Sequence, residues 1–207
     1  MFDTGGVPDD RFAGDGQPVT EGVMSAGMPL RPQMEAAGYA PETIDYLAMS
    51  HYHSDHTSNA NLFAGATWIV QQAERDVMFA DDPQGIIQPD TYGVLREART
   101  HLLQDEDLDV FGDGTVVVKS APGHTPGHQV LFVRLADRGP VLLAGDLYHY
   151  PEERSTGRVP TFEFDAERSR ATRERIEAFL AAEGAELWIE HDTATHAALP
   201  MAPGFVD

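Results

Sequence analysis

The stretch from His51 to His56 reads HYHSDH and places three of the chain's nine histidines and one aspartate within six residues. It comes directly after the apolar run 46–49, which predicts a short buried strand. Two interpretations suit this stretch: a polar loop that is rich in histidine, or a metal site built from imidazole and carboxylate. Only the metal site requires further ligands elsewhere in the chain, so the remaining sequence decides between them.

The composition of the chain limits the classes of protein and site that fit. Its 207 residues, with a hydrophobic fraction of 42%, suit one globular domain. Cysteine is absent, so any metal must be held by nitrogen and oxygen. A net charge of −20 disfavours nucleic acids and anionic membranes as partners, and it fits either simple solubility or a high-salt habitat. With no membrane-length apolar run and no signal-peptide pattern, we expect a cytoplasmic protein.

The apolar pattern predicts strands that alternate with helices and then follow one another closely from Leu108 onward. The predicted strands cover 46–49, 67–70, 116–120, 129–135, 141–144 and 187–189. The predicted helices are a short one ending at 34–38, then 54–63, 72–79 and 165–182, the last with Asp165 as its N-cap. Residues 5–33 and 81–93 have turn composition and predict irregular loops. This order indicates a single mixed α/β layered domain over 1–207.

Candidate metal ligands follow four of the predicted strands. They are His51, His53, Asp55, His56, His124, Asp146 and His191. Because sites in open α/β sheets lie at the carboxyl ends of strands, we expect these side chains to converge. Imidazole and carboxylate suit zinc and other first-row metals, and seven ligands suit two ions with a bridging carboxylate better than one tetrahedral ion.

The order of these motifs resembles the metallo-β-lactamase superfamily. The resemblance consists of H-x-H-x-D-H, a histidine in G-H-T-x-G-H, a G-D after a strand and a late histidine, and it covers about residues 2–192. It implies an αβ/βα sandwich of two mixed β-sheets flanked by helices. Asp3-Thr4-Gly5 matches the D-T-G that closes the first β-hairpin of this superfamily. An aspartic protease pairs two such loops, so a single copy disfavours that alternative.

The resemblance also implies a role for each candidate ligand. The first metal ion would be bound by His51, His53 and His124, the second by Asp55, His56 and His191, and Asp146 would bridge them. Zinc is the first expectation, although the same donors accept manganese, iron or cobalt. The alternatives are that Asp146 is a helix N-cap, that Asp55 only hydrogen-bonds an imidazole, and that the others are polar surface residues. The completeness of the motif set favours ligation.

Within the superfamily, three stretches are most similar to the N-acyl-homoserine lactonases: S-H-Y-H-S-D-H, A-P-G-H-T-P-G-H-Q and G-D-L-Y-H-Y. This similarity implies a hydrolase that opens the ester ring of a small lactone with a metal-bridging hydroxide. Asp55 would pass a proton to the leaving group, and Tyr148 would hydrogen-bond the substrate carbonyl, unless Tyr148 merely packs under a loop. Other activities remain open: hydrolysis of β-lactams, phosphoesters or thioesters, a di-iron oxidoreductase, or metal binding without catalysis.

The beginning of the chain departs from the family pattern. The family has two or more strands before D-T-G, whereas Met1 lies only two residues before Asp3. We therefore expect the opening hairpin to be missing and the open edge to cause either poor solubility or a homodimer.

His128 is expected to make a structural hydrogen bond in the turn after His124. Three further histidines are expected at the surface: His101, His149 and His196.

Overall fold

A computed structural model of the chain describes residues 1–12, 19–21, 24–81 and 87–207. These residues form two compact units. Unit 1 comprises Met1–Val70, Arg75–Leu102 and Met201–Phe205, and unit 2 comprises Gln71–Glu74, Leu103–Pro200 and Val206–Asp207. Among the described residues, no helix combines the length and the apolar character needed to cross a bilayer.

The strands up to Leu103 form a short hairpin and a three-stranded sheet. β1 (Val19–Glu21) pairs antiparallel with β2 (Met24–Ala26). The sheet has the order β3 (Tyr46–Ala48), β4 (Thr67–Gln71), β5 (Thr100–Leu103), and β3 runs parallel to β4. The helices of this part are α1 (Leu30–Ala36), α2 (Ser54–Thr57) and α3 (Gln72–Met78).

The core of unit 1 forms around β4. Four of the five β4 residues are buried, and three of them, Trp68 to Val70, form a continuous apolar run. Trp68 is fully buried and shares one cluster with Leu47, Phe63 and Tyr92. Packing of this kind fixes the end of β3, after which HYHSDH begins.

The backbone of the first three residues hydrogen-bonds along β3. Ala48 N donates to Met1 O at 2.9 Å, and Asp3 N donates to Ala48 O at 3.1 Å. These bonds place Asp3 beside the segment that follows β3. The homodimer that we expected from an open edge stays a prediction.

Unit 2 contains a five-stranded sheet in the order β10, β9, β8, β7, β6. The strands are β6 (Leu108–Asp109), β7 (Val116–Ser120), β8 (Gln129–Leu135), β9 (Gly139–Leu143) and β10 (Glu186–Trp188). Neighbours are antiparallel except β9 and β10, which are parallel. The helices are α4 (Pro151–Thr156), α5 (Ala166–Glu183) and α6 (Thr193–Ala198).

Helix α5 supplies one side of the core of unit 2. Its buried residues Ile176 and Leu180 pack in one cluster with Phe132 and Leu142 of the sheet. The side chain of Asp165 caps the helix by accepting hydrogen bonds from two backbone N–H groups at 3.0 Å, and α5 ends at Gly184 with a φ of 64°. The predicted N-cap and length of this helix are therefore confirmed.

The remaining elements agree with the sequence pattern where that pattern was strong. β7 and β8 have the predicted bounds, whereas the predicted helix 54–63 is broken into α2 and the 3-10 turn Ala60–Phe63. β5, α4 and α6 were not predicted, because they are short and mostly exposed. The predicted loop 5–33 contains the β1–β2 hairpin, but 13–18 and 22–23 lie outside the described residues. Residues 82–86 of the predicted loop 81–93 also lie outside the described residues.

Candidate metal centre

The first histidine cluster, which consists of His51, His53, Asp55 and His56, lies in unit 1, in the segment after β3 and in helix α2. His53 has an extended backbone (φ −63°, ψ 149°) in the N-cap position of α2, so the chain turns at this residue. α2 is a single turn of four residues. This tight turn at the end of the segment that follows β3 returns the second half of the motif toward the first.

The four predicted ligands of this motif are close together. His51 Nε2 lies 2.8 Å from His53 Nδ1, and the rings of His51 and His56 are 4.2 Å apart between centroids. Asp55 Oδ2 lies 3.7 Å from His56 Nε2. His51 and His56 are buried, whereas the Asp55 side chain is 33% exposed and so reaches solvent. Unit 1 thus holds three imidazoles and one carboxylate in one place.

Two polar residues engage the outer nitrogens of this cluster. Ser50 Oγ lies 2.9 Å from His51 Nδ1 and 3.1 Å from His56 Nδ1. Asp3 Oδ2 lies 3.0 Å from His56 Nδ1, while Asp3 Oδ1 accepts a hydrogen bond from Ser50 N. Metal-binding imidazoles are commonly held in this way through the nitrogen that does not face the metal. The D-T-G motif was interpreted only as the end of a hairpin, and this contact of Asp3 was missed.

The second group of ligands, here called the Asp146 cluster, lies in unit 2 at the ends of β9 and β10. Asp146 is in the 3-10 turn Gly145–Leu147 with φ −98° and ψ 25°, a sparsely populated region in which many active-site residues lie. His191 Nε2 is 3.0 Å from Asp146 Oδ1, and His124 Nε2 is 3.3 Å from Asp146 Oδ2. The two oxygens of one buried carboxylate therefore face different predicted ligands.

The spacing of these atoms is compatible both with direct ion pairs and with ligands around a metal ion. A tetrahedral zinc ion with bonds of about 2.0–2.1 Å places its ligand atoms roughly 3.3 Å apart. The nitrogen–oxygen separations in the Asp146 cluster are 3.0 and 3.3 Å. The donor chemistry and the spacing of this cluster therefore fit a divalent metal ion, as do the three imidazoles of the first histidine cluster.

The loop that carries His124 is fixed by buried polar contacts and by one close backbone approach. Glu74 accepts hydrogen bonds from Thr125 Oγ1 and from Gly127 N at 2.8 and 2.9 Å. A Cβ on Gly127 would lie 2.5 Å from Glu74 N, so only glycine fits there.

His128 fixes the backbone that bears Asp146. Its Nε2 accepts a hydrogen bond from Asp146 N at 3.0 Å, and its Nδ1 lies 3.1 Å from Ala121 O. With Nε2 accepting, Nδ1 carries the proton and donates to the carbonyl, which sets the tautomer. The structural role predicted for His128 is confirmed.

His149 was expected at the surface, and this prediction was wrong. The residue is 8% exposed, and its Nε2 lies 3.2 Å from Asp146 Oδ2. Burial acts to lower the pKa of its imidazole, but the hydrogen bond and charge of Asp146, with Glu153 and Glu163, leave that pKa raised. The tight turn at Asp146 directs His149 inward, and no periodicity in the sequence signals this. His101 and His196 are exposed, as predicted.

Glu163 was missed altogether. Its Oε1 lies 3.3 Å from His124 Nδ1, and its Oε2 accepts a hydrogen bond from Ser169 Oγ at 2.5 Å. Burial acts to raise the pKa of this carboxyl, but the hydrogen bonds from His124 and Ser169 outweigh it and lower the pKa. Glu163 therefore holds the outer nitrogen of His124 as an anion.

Tyr148 lies in the core of unit 2. Its hydroxyl donates to Glu177 Oε1 at 3.1 Å, and the Arg173 guanidinium lies 4.4 Å from the centre of its ring. Burial, followed by the charge of Glu177, raises the pKa of Tyr148 to about 12. The hydroxyl is thus engaged by α5, and a catalytic role for Tyr148 stays a prediction. Tyr150, two residues on, is exposed.

Comparison of the chain with known proteins gives one family and a consistent group of relatives. The family model described as the metallo-beta-lactamase superfamily matches residues 1–183. The N-acyl homoserine lactonase AttM of Azorhizobium caulinodans is 31% identical over 179 residues, which cover 84% of this chain and 68% of that protein. The N-acyl homoserine lactonase AiiA of Bacillus thuringiensis subsp. kurstaki is 27% identical over 176 residues, covering 84% and 66%. The chain thus spans about two thirds of the length of these relatives.

Solved structures give the same fold. An N-acyl homoserine lactone hydrolase, with N-hexanoyl-L-homoserine bound at its catalytic metal centre, has a TM-score of 0.79 and 22% identity. The alignment covers 99% of this chain and 81% of that chain. AidC, a dizinc quorum-quenching lactonase, has a TM-score of 0.62 and 18% identity over 90% of this chain and 66% of its own. At these identities the likeness establishes the fold.

Proposed function

Since this chain belongs to the metallo-β-lactamase superfamily, we propose that it is a metal-dependent hydrolase that opens the ring of N-acyl-homoserine lactones. The observation that carries the proposal is the 31% identity to a relative named as such a lactonase, over 84% of this chain. The donor types in both clusters support the metal-dependent part. A small-molecule lactone is therefore the proposed substrate.

In this proposal, and as the resemblance implies, the residues of the two clusters would hold two divalent metal ions, with zinc as the first expectation. The ligands are assigned as the resemblance implies: His51, His53 and His124 for one ion, Asp55, His56 and His191 for the other, and Asp146 for both. When bound, such ions polarise an ester carbonyl and lower the pKa of water to about 7.

The protein's own residues then position the ions and move the proton. Ring opening adds the hydroxyl of water to the carbonyl carbon of the lactone ring and breaks the bond from that carbon to the ring oxygen. The ring oxygen takes up a proton and becomes an alcohol. Asp55, whose side chain is 33% exposed, is the proposed carrier of that proton because it can exchange protons with solvent. Asp3, Ser50 and Glu163 hold the outer nitrogens of the histidines and so fix the direction of their metal-binding nitrogens.

An exposed aromatic ring beside the Asp146 cluster supports a substrate with an apolar tail. Phe162 is 65% exposed, and its ring lies 5.1 Å from the His149 ring and 6.2 Å from the His124 ring. In this proposal an acyl chain covers Phe162 while the lactone reacts at the metal centre. A small polar substrate would leave that ring in water.

The test is the hydrolysis of N-hexanoyl-homoserine lactone, followed by the proton that ring opening releases. We expect turnover by the metal-loaded chain, loss of turnover with chelator, and loss of both metal and turnover in His53→Ala. His101→Ala, which removes an exposed imidazole, serves as the control and should behave like the wild type. Tyr148→Phe separates a catalytic role from a packing role, since only a catalytic hydroxyl would lower kcat in a protein of unchanged stability.

The second candidate is another hydrolase of the superfamily, acting on β-lactams, phosphoesters or thioesters. A chromogenic panel of these compounds in the same assay distinguishes the two. Turnover of one of them, with none of the lactone, would overturn the lactonase proposal. An active metal-free His53→Ala protein would overturn the proposed mechanism.

A further inference from the structure

A third imidazole lies in the Asp146 cluster, beside those of His124 and His191, and the resemblance gives it no role. His149 is 8% exposed, and its Nε2 is 3.2 Å from Asp146 Oδ2. His124 Nε2 is 3.3 Å from the same oxygen. The ring of His149 lies 5.1 Å from that of His124 and stands parallel to that of His191, with 6.0 Å between centroids. His149 is therefore placed among the ligands and not behind them.

The separation between His149 Nε2 and Asp146 Oδ2 suits a direct ion pair and equally suits two atoms that share a metal ion. Ligands of a tetrahedral zinc ion lie roughly 3.3 Å apart. The 3.2 Å distance for His149 is as close to that value as the 3.3 Å distance for His124.

The opposite nitrogen of His149 faces a carboxylate, as in histidines that bind metal. His149 Nδ1 lies 3.4 Å from Glu153 Oε1, and the His149 backbone N–H donates to Glu153 Oε2 at 3.2 Å. Arg173 Nη2 in turn donates to Glu153 Oε2 at 2.9 Å, so the carboxylate is held in place. His124 has the equivalent arrangement, with Nδ1 beside the buried Glu163 and Nε2 toward Asp146. Both Nδ1 atoms thus face a carboxylate, but only that of His124 is in hydrogen-bonding geometry with it.

We propose that His149 is an additional metal ligand of this centre, binding through Nε2 to the ion on the Oδ2 side of Asp146. This inference rests on the metal-bearing centre of the proposed function but not on the identity of the substrate. A purely structural His149 would need only its contact with Asp146. The Glu153 carboxylate beside Nδ1, and the Asp146 oxygen that His149 shares with His124, are features expected of a metal ligand.

The first experiment compares zinc affinities of His149→Ala, His101→Ala and the wild type by competition with a chromogenic chelator. Changes to residues that merely support ligands typically lower metal affinity by about 10–100-fold. Loss of a ligand should therefore lower the affinity for one zinc ion by about 100-fold or more. His101→Ala, an exposed histidine, should match the wild type. Unchanged zinc affinity in a folded His149→Ala protein would overturn the proposal.

The second experiment needs no variant. Anomalous diffraction at the zinc edge from wild-type crystals should place an ion about 2.0–2.1 Å from His149 Nε2. An ion on Asp146 whose distance to His149 Nε2 exceeds about 3 Å would overturn the assignment, since zinc–nitrogen bonds are about 2.0–2.1 Å. Neither readout uses turnover, so a chain that binds zinc through His149 without opening lactones would refute the lactonase proposal alone.

Discussion

Replacing Gly123 by alanine tests how closely the His124 loop packs on the start of helix α5. A Cβ at Gly123 would lie 2.6 Å from both Cα and N of Ser169, and closer still to its Oγ. Rotation of the serine side chain could relieve the Oγ contact but not the two backbone contacts. Gly123 also has a φ of +143°, which L-residues rarely adopt.

The expected loss of stability is the sum of a backbone term and a packing term. Holding a non-glycine residue in a sparsely populated conformation costs about 1–3 kcal/mol. Forcing an extra carbon into a packed site costs about 1–3 kcal/mol more. We therefore expect Gly123→Ala to lower the free energy of unfolding by roughly 2–6 kcal/mol. Because His124 is the next residue, zinc affinity should fall as well.

The free energy of unfolding of Gly123→Ala is measured by urea titration followed by circular dichroism. Two other glycines provide matched controls in this assay. Gly139 has a φ of +92° with nothing within 4 Å of an added Cβ, so Gly139→Ala carries the backbone term alone. Gly65 has open space and no positive φ, so Gly65→Ala should change stability by less than about 0.5 kcal/mol. If Gly123→Ala were no less stable than Gly139→Ala, the close approach to Ser169 would be refuted.

Three further substitutions test the supports of the site. Glu74→Ala leaves the Thr125 hydroxyl without its buried acceptor and should lower the free energy of unfolding by about 2–5 kcal/mol in urea titrations. A loss below about 1 kcal/mol would contradict the buried contact. Glu163→Gln keeps the shape but removes the charge beside His124, and we expect zinc affinity to fall about 10–100-fold by chelator competition; an unchanged affinity would show that the contact is incidental. Asp165→Ala removes the N-cap of α5 and should cost about 1 kcal/mol in thermal unfolding, while Asp165→Asn, which can still cap, should lose less.

The sequence predicted those parts of the fold whose signals are local. β7 and β8 are apolar runs bounded by turn residues, and α5 has both a capping aspartate and a terminal glycine. Such signals act over a few residues, so the bounds agreed with the structure. Elements of three to six mostly exposed residues, such as β5 and α4, carry no periodicity that could reveal them.

The candidate ligands could be found because a motif fixes their residue types and spacing. Two of their supports, Asp3 and Glu163, could not, since each contacts a histidine far away in the chain. Asp3 and His56 are 53 residues apart, and Glu163 and His124 are 39 apart. His149 shows the same limit at short range, because the backbone turn at Asp146 decides which of the following side chains points inward. Only the three-dimensional structure supplies that direction.

The most direct test of the central claim is the metal content of the purified chain, measured by elemental analysis after dialysis against zinc and then against metal-free buffer. The two ligand clusters predict about two zinc ions per chain, and one or fewer in His53→Ala, with His101→Ala retaining the full content. A wild-type chain that retains no metal after this treatment would contradict the account, because the histidines and carboxylates would then be polar contacts and not ligands.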